Sequence, residues 1–242
     1  MSLNLLAAAA VGALAAPPFQ CAELSGAHLV INDASKPFII VGERHGTAEI
    51  PMFFANLVCL AASKGPVVVG LEFEPDQQSS LDTYLASDGA IAARSALLTE
   101  RHWGYPDGRA SEAMFRLLDQ LRQLKLSGQA ITVLAFMRNT ADPDRREQAM
   151  ATAWQESLEA KPGAKLLALV GAVHAERERL GNFVPAAHWL PRDRTITLNY
   201  VASGPRGVVS VVSPKFRWPR YDLWYSVGQP FSRSPLERKM SR

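Results

Sequence analysis

Apolar residues along the chain gather into short runs separated by longer amphipathic stretches. Six runs have strand length and many branched side chains: Phe38–Val41, Val67–Phe73, Ile131–Phe136, Leu166–Val170, Thr195–Tyr200 and Val208–Val212. Tyr221–Tyr225 adds a late edge-strand candidate. The intervals read as helices. Glu49–Ser63 closes at Lys64-Gly65, a suitable C-terminal stop. Ser111–Leu126 carries Met114, Leu117, Leu118, Leu121 and Leu124 at helical spacing, then breaks at Ser127-Gly128. Asp144–Glu159 opens after Asp142-Pro143 and ends before Pro162-Gly163, while Ser80–Leu98 reads as one or two helices broken near Asp88-Gly89. Strands alternating with helices predict an α/β fold, with a mainly parallel sheet and helices on both faces. In such a sheet the ligand site lies beyond the carboxyl ends of the strands.

The polar residues at those ends change the picture. The first strand runs into Gly42-Glu43-Arg44-His45, and in extended backbone Glu43 and His45 share a side while Arg44 points away. The second ends in Glu72-Phe73-Glu74, again with two carboxylates on one side. The fourth ends at Gly171 and delivers His174. If these strands are parallel neighbours, two histidines and up to three carboxylates meet at one edge, where ionisable groups need mutual pairing or a bound ion.

Two chemistries follow from that set. His45, oriented by Glu43 or Glu72, can act as general base on water. Alternatively Glu43, His45, Glu72 and His174 can hold a divalent metal such as manganese, cobalt or zinc. A buried ion-pair network that only organises the sheet edge is the structural alternative. The loop Thr99–Ala110, "TERHWGYPDGRA", supplies Trp103, Asp107 and Arg109 as candidate substrate contacts, with Glu74 from the second strand end. His28, His102 and His188 lack a strand-end position and read as surface or turn histidines. No G-x-S-x-G elbow, P-loop or G-x-G-x-x-G fingerprint occurs.

The 242 residues suit one α/β domain. Its 48% hydrophobic and 20% charged content argues against disorder and against a polytopic membrane protein. Residues 232–242 hold four Lys/Arg and one acid, which accounts for the whole formal charge of +3 and leaves a near-neutral body, so no nucleic-acid partner is expected. This stretch reads as a flexible basic tail. At the other end, Leu3–Ala16 is a short Ala-rich apolar run with Ala13-Leu14-Ala15 as a candidate cleavage site. It is too short to span a bilayer, so residues 1–16 read as a signal peptide, residues 17–231 as one domain, and the protein as periplasmic or secreted. In that setting Cys21 and Cys59 can form a disulfide pinning the N-terminal segment to the first long helix, with two buried thiols as the alternative.

"VGERHGTAEIP", "GLEFE" and the later "GAVHA" resemble the superfamily of erythromycin esterases, ChaN-like haem-binding proteins and TraB/Tiki proteases. The resemblance covers about Phe38 to Ala175, and its Gly-Glu-x-His spacing is that of the ChaN-like branch. It implies an α/β core with Glu43, His45, Glu72 and His174 lining one pocket. "DRREQAMATAW" resembles an arginine-led helix start of the esterases, which makes Arg146 an anion or carboxyl contact. The implied activity is hydrolysis of an ester or amide in a small-molecule or peptide substrate; the rival is haem or metal binding without turnover.

Overall fold

The computed structural model describes residues 20–24, 26–138, 140–203 and 206–211, without side-chain detail beyond 198. Six strands form one sheet in the order β3-β2-β4-β1-β5-β6: β1 Phe38–Glu43, β2 Val67–Leu71, β3 Ile131–Ala135, β4 Lys165–Gly171, β5 Thr195–Ser203 and β6 Arg206–Val211. The first five are parallel, and β6 returns antiparallel to β5. The expected α/β architecture is therefore present, with an antiparallel strand at one edge. Tyr221–Tyr225, the candidate signal peptide and the basic tail lie outside the described residues.

Alternation along the strands divides the core into two layers. Ile39, Val41, Val67, Val69, Leu71, Leu167 and Leu169 face one side. There they meet α1 (Ala27–Ile31), α2 (Glu49–Ala62), α3 (Gln78–Ala86) and α5 (Glu112–Leu126). Phe38, Ile40, Val68, Leu166, Ala168 and Val170 face α6 (Pro143–Glu159) through Met150, Ala151 and Trp154. Burial on both faces is why these strands read as continuous apolar runs. The stretch 80–98 is indeed two helices, α3 and α4 (Ile91–Leu98), separated at Gly89, whose φ is 73°.

Two helix starts, those of α5 and α6, are capped by side chains. Ser111 accepts the Met114 N–H at the head of α5, and Asp142 accepts the Asp144 and Arg145 N–H groups at the head of α6, with Pro143 at the first turn. Because α6 follows β3 and precedes β4 in a parallel sheet, it begins at the carboxyl edge and runs back. Arg146 and Glu147 are thereby delivered to the same edge as the ends of β1, β2 and β4. Cys21 and Cys59 are disulfide-bonded with Cα atoms 5.5 Å apart, and the Ala22 N–H donates to Asn56 Oδ1 of α2 at 2.8 Å. No helix among the described residues is long and apolar enough to cross a membrane.

Candidate active site

Strand order decides which end residues meet. β4 lies between β2 and β1, and Glu43 is in register with Gly171, so His174 emerges between Glu72 and the Glu43/His45 pair. A short 3-10 turn, Ala172–Ala175, lifts His174 off the strand. Gly171 has no side chain for a spatial reason: a Cβ there would sit 3.1 Å from His45 Nε2 and 3.4 Å from His174 Cδ2. His45 thus lies across the end of β4.

The result is a row of alternating carboxylates and imidazoles. Glu43 Oε1 meets His45 Nδ1 at 2.9 Å; His45 Nε2 faces Glu72 Oε2 at 3.3 Å. Glu72 Oε1 faces His174 Nε2 at 3.6 Å, and His174 Nδ1 meets Glu147 Oε2 at 2.7 Å. Arg146 Nε closes the row on Glu147 Oε1 at 3.1 Å, and the Ala186 N–H donates to Glu147 Oε2 at 3.0 Å. Glu43 (4% exposed), Glu72 (6%) and Glu147 (0%) are buried, whereas Arg44 is exposed, as the two-residue alternation predicts. Among the described residues neither Glu72 oxygen has a hydrogen-bond partner, although solvent does not reach them.

Burial pushes the Glu43 carboxyl above its ordinary range despite the His45 hydrogen bond. For His45, burial opposes the charged form, but the Glu43 hydrogen bond and the charges of Glu72 and Glu43 outweigh it and raise the imidazole above its usual value. Among the described residues no three His, Cys, Asp or Glu side chains group so as to hold a metal ion. Each Nε2 faces its own oxygen of Glu72, and each Nδ1 is taken by a carboxylate.

The long loop packs directly on His45. Gly108, φ 91°, lies so close that a Cβ would fall 2.7 Å from Gly46 N and 2.8 Å from the His45 carbonyl carbon. Next to it Arg109 pairs with Asp107 through Nε and Nη2, at 2.8 and 2.6 Å, and lies over the Tyr105 ring. Partial burial of Asp107 is outweighed by side-chain and backbone hydrogen bonds from Arg109, which hold its carboxyl below the usual range. The contact of Gly108 with His45 and Gly46 sets Arg109 near the His45 end of the row. Trp103 packs edge-on against Phe73 and Phe115. Glu74 is ion-paired with Arg101 and caps the short turn Pro75–Gln77.

Two residues depart from the sequence reading. His102, expected at the surface or in a turn, lies in the turn Arg101–Gly104 but is buried: it is 2% exposed, and its ring stacks 3.7 Å from Phe73. Glu147, from a helix rather than a strand end, shares the buried stripe of Met150, Ala151 and Trp154 on α6. A carboxylate on an otherwise apolar helix face is the signal that could have found it. His28 is exposed, and the His188 Nδ1–H donates to the Arg177 carbonyl at 2.8 Å.

No family model matches the chain, and no curated protein matches its sequence. Solved structures do. A structure described as bacterial protein toxins is similar at TM-score 0.51 and 21% identity over 78% of this chain and 38% of that one. RRSP, a MARTX toxin effector domain from Vibrio vulnificus CMCP6, aligns at TM-score 0.49 and 20% identity over 77% and 37%. The erythromycin esterase EreC, a mutant in its open conformation, aligns at 0.44 and 13% over 77% and 78%. The first likeness is one of fold, and this chain spans well under half the length of the toxin structures it resembles.

Proposed function

We propose that this chain is a hydrolase that sets water against an ester or amide bond. One observation carries the reading: two imidazoles, each held at Nδ1 by its own carboxylate, turn Nε2 toward the same buried Glu72 at the carboxyl edge of the sheet. His45 Nε2 takes a proton from water, and the oxygen adds to the carbonyl carbon. The C–O or C–N bond then breaks, the leaving oxygen or nitrogen takes the proton from the His45 imidazolium, and His174 serves as a second base facing the same Glu72. Glu43 orients His45, and the Glu72 charge favours each imidazolium as it forms. Separations of 3.3 and 3.6 Å are long for hydrogen bonds, as those of catalytic groups often are before substrate arrives. Arg109, Asp107 and Arg146 border the row and supply the polar contacts to a small-molecule or peptide substrate. Glu74 and Trp103 hold the loop behind them, through Arg101 and through Phe73 and Phe115. The N-terminal apolar run and the disulfide favour a periplasmic or secreted setting.

A panel of esters and amides with varied acyl and leaving groups tests the proposal. His45→Ala and His174→Ala are each expected to lower kcat/KM at least about 100-fold on any substrate turned over. The wild-type rate should rise with pH through a midpoint above the ordinary histidine value, because His45 acts as the base in its neutral form. Hydrolysis unchanged in both variants would overturn the reading. So would a Soret band in the purified protein that vanishes when either histidine is replaced, since haem binding is the competing use of these groups.

A further inference from the structure

We infer that Glu147 is the positioning residue of the site, holding His174 in the tautomer whose Nε2 is free of hydrogen and turned toward Glu72. The kinetic part of this inference rests on the hydrolytic reading; the tautomer itself rests on geometry alone. Glu147 is the most deeply buried carboxylate of the row, at 0% exposure. Three groups reach it: Arg146 Nε at Oε1, and both the Ala186 N–H and His174 Nδ1 at Oε2. A guanidinium N–H and a backbone N–H can only donate, so both oxygens already serve as acceptors. Glu147 is ion-paired with Arg146 as a carboxylate, which has no hydrogen to give, so the third contact, 2.7 Å from His174 Nδ1, is an N–H donated by the ring. In neutral His174 the lone pair must therefore lie on Nε2, the atom facing Glu72 Oε1.

Glu43 is not fixed in this way. Among the described residues its one side-chain hydrogen bond is to His45, so nothing else in that pair dictates which way the hydrogen points. Glu147 also does a second job. Its bond to the Ala186 N–H anchors the start of the 3-10 turn Ala186–Trp189 and, through it, the preceding segment that carries Phe183, whose ring lies 6.3 Å from that of His174. One carboxylate thus fixes both the proton of the histidine and the chain beside it.

The test reads the tautomer directly and needs no substrate. In protein labelled with ¹⁵N at histidine, long-range ¹H–¹⁵N correlation gives each ring its own pattern, and loss of one set in His174→Ala assigns the residue. Neutral His174 is expected to show a protonated Nδ1 and an unprotonated Nε2. Glu147→Gln should abolish that preference, because an amide can offer its own N–H to Nδ1, while Glu147→Asp should retain it. A wild-type His174 protonated at Nε2 overturns the inference whether or not the variants fold, and so does a Glu147→Gln spectrum unchanged from wild type. Where hydrolysis is measured, Glu147→Gln should lower kcat about ten-thousandfold with little change in KM, the scale seen when a histidine loses its orienting carboxylate. A protein without hydrolytic activity but with the expected tautomer would refute the function and leave the positioning role standing.

Discussion

His102 stacks 3.7 Å from the Phe73 ring, and its Nε2 has no partner within the buried loop. Burial, helped by the nearby Arg109 charge, pushes its pKa down to about 4 from an ordinary 6.5. Between those values the unfolded chain binds a proton that the folded chain refuses. The contribution of His102 is therefore intact above about pH 6.5 and is lost as pH falls toward about 4. Urea midpoints at pH 7.5 and 4.5 should register a loss on the order of 2–3 kcal/mol from this residue. His102→Phe keeps the stacked ring and should reduce that loss, and an equal acid sensitivity in the variant would show that the source lies elsewhere. Glu147 teaches a related lesson on the same scale. Both residues are ordinary in sequence, and only the packing around them makes one a neutral core ring and the other a buried acceptor.

Among the elements, β3 occupies the edge of the sheet opposite β6, where its outer N–H and C=O groups would be open to another strand. The Gln78 side chain, at the first turn of α3, covers that edge. Its Nε2 donates to the Val133 carbonyl at 2.9 Å, and its Oε1 accepts the Ala135 N–H at 2.8 Å, as a neighbouring strand would. Gln78→Ala should cost about 1–2 kcal/mol and promote concentration-dependent association. Sedimentation velocity across a dilution series checks the second effect, and an unchanged distribution would show that the side chain does not guard the edge. The strands and helices themselves were legible, because branched apolar runs and helical stripes are local patterns. Strand ends shifted by one to three residues where the chain turned into the site, as at Leu71, after which Glu72 and Phe73 leave the sheet.

At the scale of the whole molecule, the disulfide joins residues 38 apart and fastens a segment that also buries Leu24, Ala27, Val30 and Ile31. Closing a loop of that length removes chain entropy worth about 4 kcal/mol from the unfolded state. Reduction, or Cys21→Ser, is expected to lower the urea midpoint by an amount approaching that figure and to expose the segment near residue 26 to proteases. Equal midpoints with and without reductant would show that the α2–segment packing suffices alone. Such dependence would tie the protein to an oxidising compartment, in line with the export reading.

The chain by itself determined the α/β class, the strand ends that bear chemistry, the opposite facing of Glu43 and Arg44, and the Cys21–Cys59 pairing as the candidate bridge. Each of these follows from spacing along a few residues or from which groups exist at all. Only the tertiary structure decided that β4 lies between β1 and β2, that Glu72 is shared by two histidines, that Glu147 holds the second of them, and that Glu74 turns to Arg101. Those facts depend on how crossover helices carry the chain between strands. Hydrophobic periodicity says which face of an element is buried but not which element it is buried against.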